Sequence, residues 1–179
     1  MVPVLQAMSA DRPDSVEGEV VALFDRFRGP LLRYLSSFGL ALPDGEEVIQ
    51  EVFLSLFQHL RGGGSRQNLR GWLFRVAHNL GLKHRHRSRR DFGLRAETGV
   101  EDAAVDPGPN PEAQAVGNQT RQRLLAVVEG LPQQDRRCLF LRAEGLRYRE
   151  IAEILDISLG GVSLSLVRSL ARIARAAER

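Results

Sequence analysis

At 179 residues, 43% hydrophobic and 26% charged, the chain has the composition of a soluble globular protein, with room for one ordinary domain or two small ones. No apolar run approaches the roughly 18 residues that a spanning helix needs, and residues 1–15 lack the basic start and apolar block of a signal peptide, so a cytoplasmic location without a membrane span is expected. A single cysteine, Cys138 in the run Cys138-Leu139-Phe140-Leu141, excludes an internal disulfide and predicts a core thiol rather than a metal ligand.

The first predicted helix covers Val16 to Phe38, where Val20, Phe24, Phe27, Leu31, Tyr34 and Phe38 recur at helical spacing. Pro30 inside it predicts a kink or two abutting helices. A second runs from Asp44 to Leu60 on the apolar face Ile49, Val52, Phe53, Leu56, Phe57 and Leu60. Asp44 with Glu47 resembles a capping-box start, and Gly62-Gly63-Gly64 is a stop.

A third helix runs from Asn68 to about Arg90, with Leu69, Trp72, Leu73, Val76 and Leu80 as its apolar face and Arg75, His78 and Asn79 off it. It ends in Lys83-His84-Arg85-His86-Arg87-Ser88-Arg89-Arg90, and from Lys83 to Arg95 there are six basic residues and one acid. A few cations suit a helix C-terminus, but this many predict a phosphate-binding stripe. The 24 arginines among the chain's 25 basic residues suit that role, because guanidinium binds phosphate as a fork and stacks on bases. Amide groups beside the stripe suit unstacked single-stranded bases. Trp72, on the apolar face, is expected in the core. His84 and His86 are two apart and point to different sides of the helix, so that pair predicts no metal site.

Residues Ala96 to Asn118 hold five acids, no Lys or Arg, and Pro107-Gly108-Pro109-Asn110-Pro111. Such a segment buries too little apolar surface to offset its ordering entropy and reads as a flexible acidic linker. Helical spacing resumes at Gln119–Glu129, and Leu131-Pro132 opens a helix to about Ala143. Two further helices, Arg147–Leu155 and Leu159–Ala176, are joined by Asp156-Ile157-Ser158. Ala152 at the crossing, Ser158 as a cap and the stripe Val162, Leu166, Leu170 and Ile173 predict a helix-turn-helix whose second helix enters the major groove. The fold class is all-α. The boundaries are a tail (1–15), a first helical domain (16–95), the linker (96–118) and a helix-turn-helix domain (119–179).

Three blocks resemble a known family. Asp44-Gly45-Glu46-Glu47-Val48-Ile49-Gln50-Glu51-Val52-Phe53-Leu54 and Asn68 through Leu80, with Trp72-Leu73 and Ala77-His78-Asn79, are similar to domain two of the extracytoplasmic-function (ECF) sigma factors. Leu131-Pro132 through Leu155 is similar to their domain four. The resemblance implies a non-enzymatic, cofactor-free subunit of bacterial RNA polymerase that directs transcription initiation. It places Asp44, Glu47, Gln50, Glu51 and Leu54 on the coiled coil of the largest core subunit, with the flap as a further contact. It places Arg70, Arg75, His78, Asn79, Lys83, Arg85, Arg87, Arg89 and Arg90 on the melted minus-ten element. For the minus-thirty-five duplex it implies Arg147, Tyr148, Leu159, Gly160, Gly161, Ser163, Leu164, Val167, Arg168 and Arg172. An anti-sigma factor is a further partner it allows.

The recognition helix departs from the family, which commonly has Thr, Lys and Arg where this chain reads Gly161 to Leu166. The outward face Gly160, Leu164, Val167, Arg168, Ala171 and Arg175 carries two charges, so a weak or unusual upstream contact is expected. Two alternatives stay open: a sigma-like adaptor, and a helix-turn-helix regulator that works without polymerase. No catalytic set, metal-ligand spacing or phosphate-cradling loop supports an enzyme.

Overall fold

The computed structural model describes residues 15–91 and 121–178, and the expected linker lies outside them. Seven helices and no strand occur among the described residues. They are α1 (Val16–Ser36), α2 (Leu42–Arg61), α3 (Leu69–Asp91), α4 (121–129), α5 (Gln133–Ala143), α6 (Tyr148–Leu155) and α7 (Leu159–Ala177).

Ser15 caps α1 by accepting from the Gly18 amide at 3.0 Å. Pro30 lies inside α1, which is one helix rather than two; its ring removes one backbone hydrogen bond. α2 begins at Leu42, with Pro43 in its first turn, and not at the capping box expected from Asp44. Proline fits there because a first-turn amide has no intrahelical acceptor. The glycine stop is in place, with Gly63 at φ 77°. Asn68, at φ 54°, accepts the Gly71 amide on its side-chain oxygen and starts α3.

Helices α1, α2 and α3 bury Phe27, Leu31, Tyr34, Leu35, Val48, Ile49, Val52, Leu56, Leu73, Phe74 and Ala77 together. Gly81 lets α1 approach: a Cβ there would lie 2.9 Å from Leu35 Cδ2. In the second group α7 packs on α5 and α6 over Cys138, Leu141, Leu146, Ile151, Val162 and Leu166. Cys138 is fully buried, and burial pushes its thiol pKa up, so it packs as a small protonated side chain. The apolar core continues from the first group into the second, with α3 against α6 and α1 against α5. No single described helix is long and apolar enough to cross a membrane.

Candidate nucleic-acid interface

The outer side of α2 presents Asp44, Glu47, Gln50, Glu51 and Leu54, while Val48, Ile49, Val52 and Leu56 turn inward. Glu47, Gln50 and Leu54 are exposed and Asp44 and Glu51 half-buried. Leu54 is 58% exposed, an apolar contact available to a partner amid acidic and amide groups. Glu51 Oε1 lies 3.5 Å from His84 Nε2, which links this face to α3.

On α3, Arg75, Asn79, Lys83 and Arg87 are exposed and recur every four residues, so they climb one side of the helix. The side chains of Arg89 and Arg90 lie outside the described residues. Trp72 is half-buried and stacks on His59 at 5.0 Å between ring centres.

His78 does not belong to the surface. It is 6% exposed, and its Nδ1 lies 2.8 Å from the Tyr34 hydroxyl. Burial raises the Tyr34 pKa far above its ordinary value, so the phenol keeps its proton and meets the ring nitrogen as a neutral hydroxyl. Burial, with the nearby Arg137 cation, lowers the His78 pKa to about 4, so the ring is neutral at pH 7. The correction has a packing cause. Because α3 is covered by α1, α2 and α6, it buries Phe74, Ala77, His78, Gly81 and His84 beyond the apolar stripe.

Helices α6 and α7 bend by 103°, the crossing of a helix-turn-helix. Asp156 ends α6 in the left-handed region at φ 53°, and Ser158 accepts the Gly161 amide at 3.0 Å to start α7. Val162 and Leu166 are buried as expected, but Leu170 is 57% exposed and Ser165 and Ser169 take its place inside. Positions 162, 165, 166 and 169 share one face, and Leu170 falls just beyond it. Outward lie Gly160, Ser163, Arg172, Leu159, Leu164 and Val167, the last 62% exposed, with Arg147 and Tyr148 at the start of α6 and Gly161 half-buried. Arg168 is committed elsewhere: its Nη2 donates to Asp135 Oδ1 at 2.8 Å, and Asp135 is 2% exposed.

The two groups close on each other over the basic side of α3. Arg75 Nη2 donates to Glu153 Oε2 at 2.6 Å, Asn68 Nδ2 to Glu150 Oε1 at 2.6 Å, Arg85 Nη1 to Gln133 Oε1 at 2.7 Å and Arg33 Nη2 to Glu144 Oε1 at 3.2 Å. Arg70 Nη1 lies against Gly145, where a Cβ would meet it at 2.7 Å. The Arg137 guanidinium lies 4.0 Å above the Phe38 ring, and its Nε and Nη2 are buried without a hydrogen-bond partner. Sequence reasoning missed Glu144, Glu150 and Glu153, whose acidity in an arginine-rich chain was the available signal.

Family models for sigma-70 region 2 and sigma-70 region 4 match residues 23–91 and 121–173. The ECF RNA polymerase sigma-E factor of Escherichia coli K12 is 28% identical over 137 residues, 72% of each chain. A probable RNA polymerase sigma factor RfaY of Xanthomonas campestris pv. campestris is 31% identical over 133 residues; the match covers 72% of this chain but 32% of that protein. In fold the chain resembles the sigma factor RpoE of Bartonella quintana, solved with the anti-sigma factor NepR, at a TM-score of 0.66 with 16% identity over 89% of this chain and 97% of that one. It also resembles CnrH, solved with the cytosolic domain of CnrY, at a TM-score of 0.57 with 19% identity over 89% and 87%. With both sigma-70 regions present, in order and each on its own group of helices, the chain belongs to the ECF sigma factors.

Proposed function

We propose that this chain binds RNA polymerase core, recognises promoter DNA through α3 and the helix-turn-helix, and directs transcription initiation as a regulator rather than an enzyme. The observation that carries the reading is the coincidence of region 2 with α1–α3 and region 4 with α4–α7. In this reading the outer face of α2, with Asp44, Glu47, Gln50, Glu51 and Leu54, docks on core. Arg75, Asn79, Lys83 and Arg87, with Arg70 and Arg85 once uncovered, hold the minus-ten strand through phosphate contacts. Helix α7 enters the minus-thirty-five groove, where Leu164 and Val167 can meet thymine methyls. Promoter binding requires the two groups to part, because Arg75 and Arg85 hold partners on α6 and α5 in the closed arrangement. An anti-sigma factor is a further partner in this reading, in keeping with relatives solved in such complexes.

The test is run-off transcription with purified core, this chain and a promoter library, followed by sequencing of the enriched templates. Transcripts sharing a minus-ten motif support the reading. Core binding without transcripts would favour the adaptor, a reading that the apolar exposed face of α7 encourages. No core binding would return the chain to a polymerase-independent regulator.

A further inference from the structure

Glu47 and Glu51 stand one turn apart on α2, and His84 reaches them from α3. One ligand atom from each lies within 4.8 Å of the other two, and His84 Nε2 to Glu51 Oε1 is 3.5 Å. Tetrahedral zinc, with bonds of roughly 2.0–2.1 Å, spaces its ligand atoms about 3.4 Å apart, so that pair already has the separation of one coordination edge. Two carboxylates at this spacing repel each other, and a dication between them turns repulsion into attraction.

His84 supplies the independent sign. It is 6% exposed, and its Nε2 is buried with no hydrogen-bond partner, 3.5 Å from Glu51 Oε1. A buried polar nitrogen left unmatched is costly, and coordination satisfies it. One imidazole nitrogen with two carboxylate oxygens suits a divalent transition ion, whereas Mg2+ and Ca2+ favour all-oxygen shells.

We propose that Glu47, Glu51 and His84 form a site for a divalent transition-metal ion of the zinc type, completed by water on the exposed side. The site lies on the face assigned above to core docking and, in so far as it rests on that reading, occupancy competes with core for Glu47 and Glu51. Competition of this kind is reciprocal: the factor by which metal weakens core binding is the factor by which core weakens metal binding.

The test is calorimetric titration of the chelator-treated full chain with zinc chloride alone. One zinc per chain is expected, with affinity reduced at least about tenfold in Glu47→Gln and in His84→Gln and unchanged in His86→Ala. Glu47 is exposed, so its variant keeps the test valid if His84→Gln folds poorly. Absence of a one-to-one site, wild-type affinity in Glu47→Gln, or equal binding of magnesium would overturn the site. Core binding with and without zinc is measured separately in a pull-down. If zinc binds at these residues and core is captured equally well in both, the competition is overturned while the site stands.

Discussion

Arg75 on α3 donates to Glu153 on α6 at 2.6 Å, so a side chain assigned to the minus-ten strand is held by the helix that begins the DNA-reading motif. Both side chains are more than half exposed, and a pair of that kind contributes about 0–1 kcal/mol. The Arg137 nitrogens buried without partners over Phe38 oppose closure by about 1–3 kcal/mol. The Arg75–Glu153 part of the closure is therefore salt-sensitive. Glu153→Arg, which sets two cations face to face, is expected to lengthen the distance between fluorophores on the two helical groups at low salt. The charge swap Arg75→Glu with Glu153→Arg is expected to restore it. An unchanged distance in Glu153→Arg at low salt would refute the latch.

The Tyr34–His78 pair makes stability depend on pH. Folding lowers the His78 pKa from its ordinary 6.5 to about 4, so as pH falls the unfolded chain takes up a proton before the native one does. Stability from this group is full above pH 6.5 and is lost between there and pH 4, by at most roughly 3 kcal/mol. Urea denaturation at pH 7, 5.5 and 4.5 measures it. Carboxylates titrate in the same range, so the decisive quantity is the difference from His78→Gln, which is expected to flatten that part of the profile. Parallel profiles for the two proteins would show that the ring is not held neutral.

The helices were legible in the sequence because leucine, isoleucine and phenylalanine at helical spacing report one buried face, as in α2. What α3 hid follows from the same logic. A helix covered on two sides fills its second face with whatever the neighbours permit, here Gly81 under Leu35 and His78 against Tyr34. Neither residue type reads as core. On α7, Ser165 and Ser169 are buried where Leu170 was expected, because small side chains allow a close crossing that periodic hydrophobicity does not register. Of the proposed site residues, Arg75 and Asn79 could be placed off the apolar face from spacing, and Lys83 and Arg87 in a basic run from charge, while their role came from the family resemblance. The pairing of that side of α3 with Glu150 and Glu153 could not, because it joins residues about eighty positions apart.

Leu54 separates docking from folding. It is 58% exposed on α2 and outside the core, so Leu54→Asp is expected to shift stability by no more than about 0.5 kcal/mol. Capture by core polymerase is expected to fall about tenfold or more, because a new charge enters an apolar contact. Pull-down alongside thermal melting checks both at once. Unchanged capture at unchanged melting temperature would remove this face of α2 from the docking surface.

The recognition helix makes the prediction least like its family. Leu159, Leu164, Val167 and Leu170 are all about half exposed or more, and Arg168, the cation nearest the middle of that face, is tied to Asp135. Each phosphate neutralised adds about 0.9 to the slope of log affinity against log salt, so a helix this short of free cations should show a shallow slope on the upstream duplex. Val167→Arg places a fork beside the groove on an exposed position. It is expected to steepen the slope by about one while leaving melting unchanged, because Val167 is outside the core. Fluorescence anisotropy across a salt series, with the full chain and a labelled upstream duplex, reads the slope for both proteins. A steep slope in the wild type would mean that phosphate contacts come from outside α7, with the exposed Arg147 and Arg149 at the start of α6 the next residues to substitute. A slope unmoved by Val167→Arg would mean that α7 does not lie in the groove in the orientation its exposed face implies.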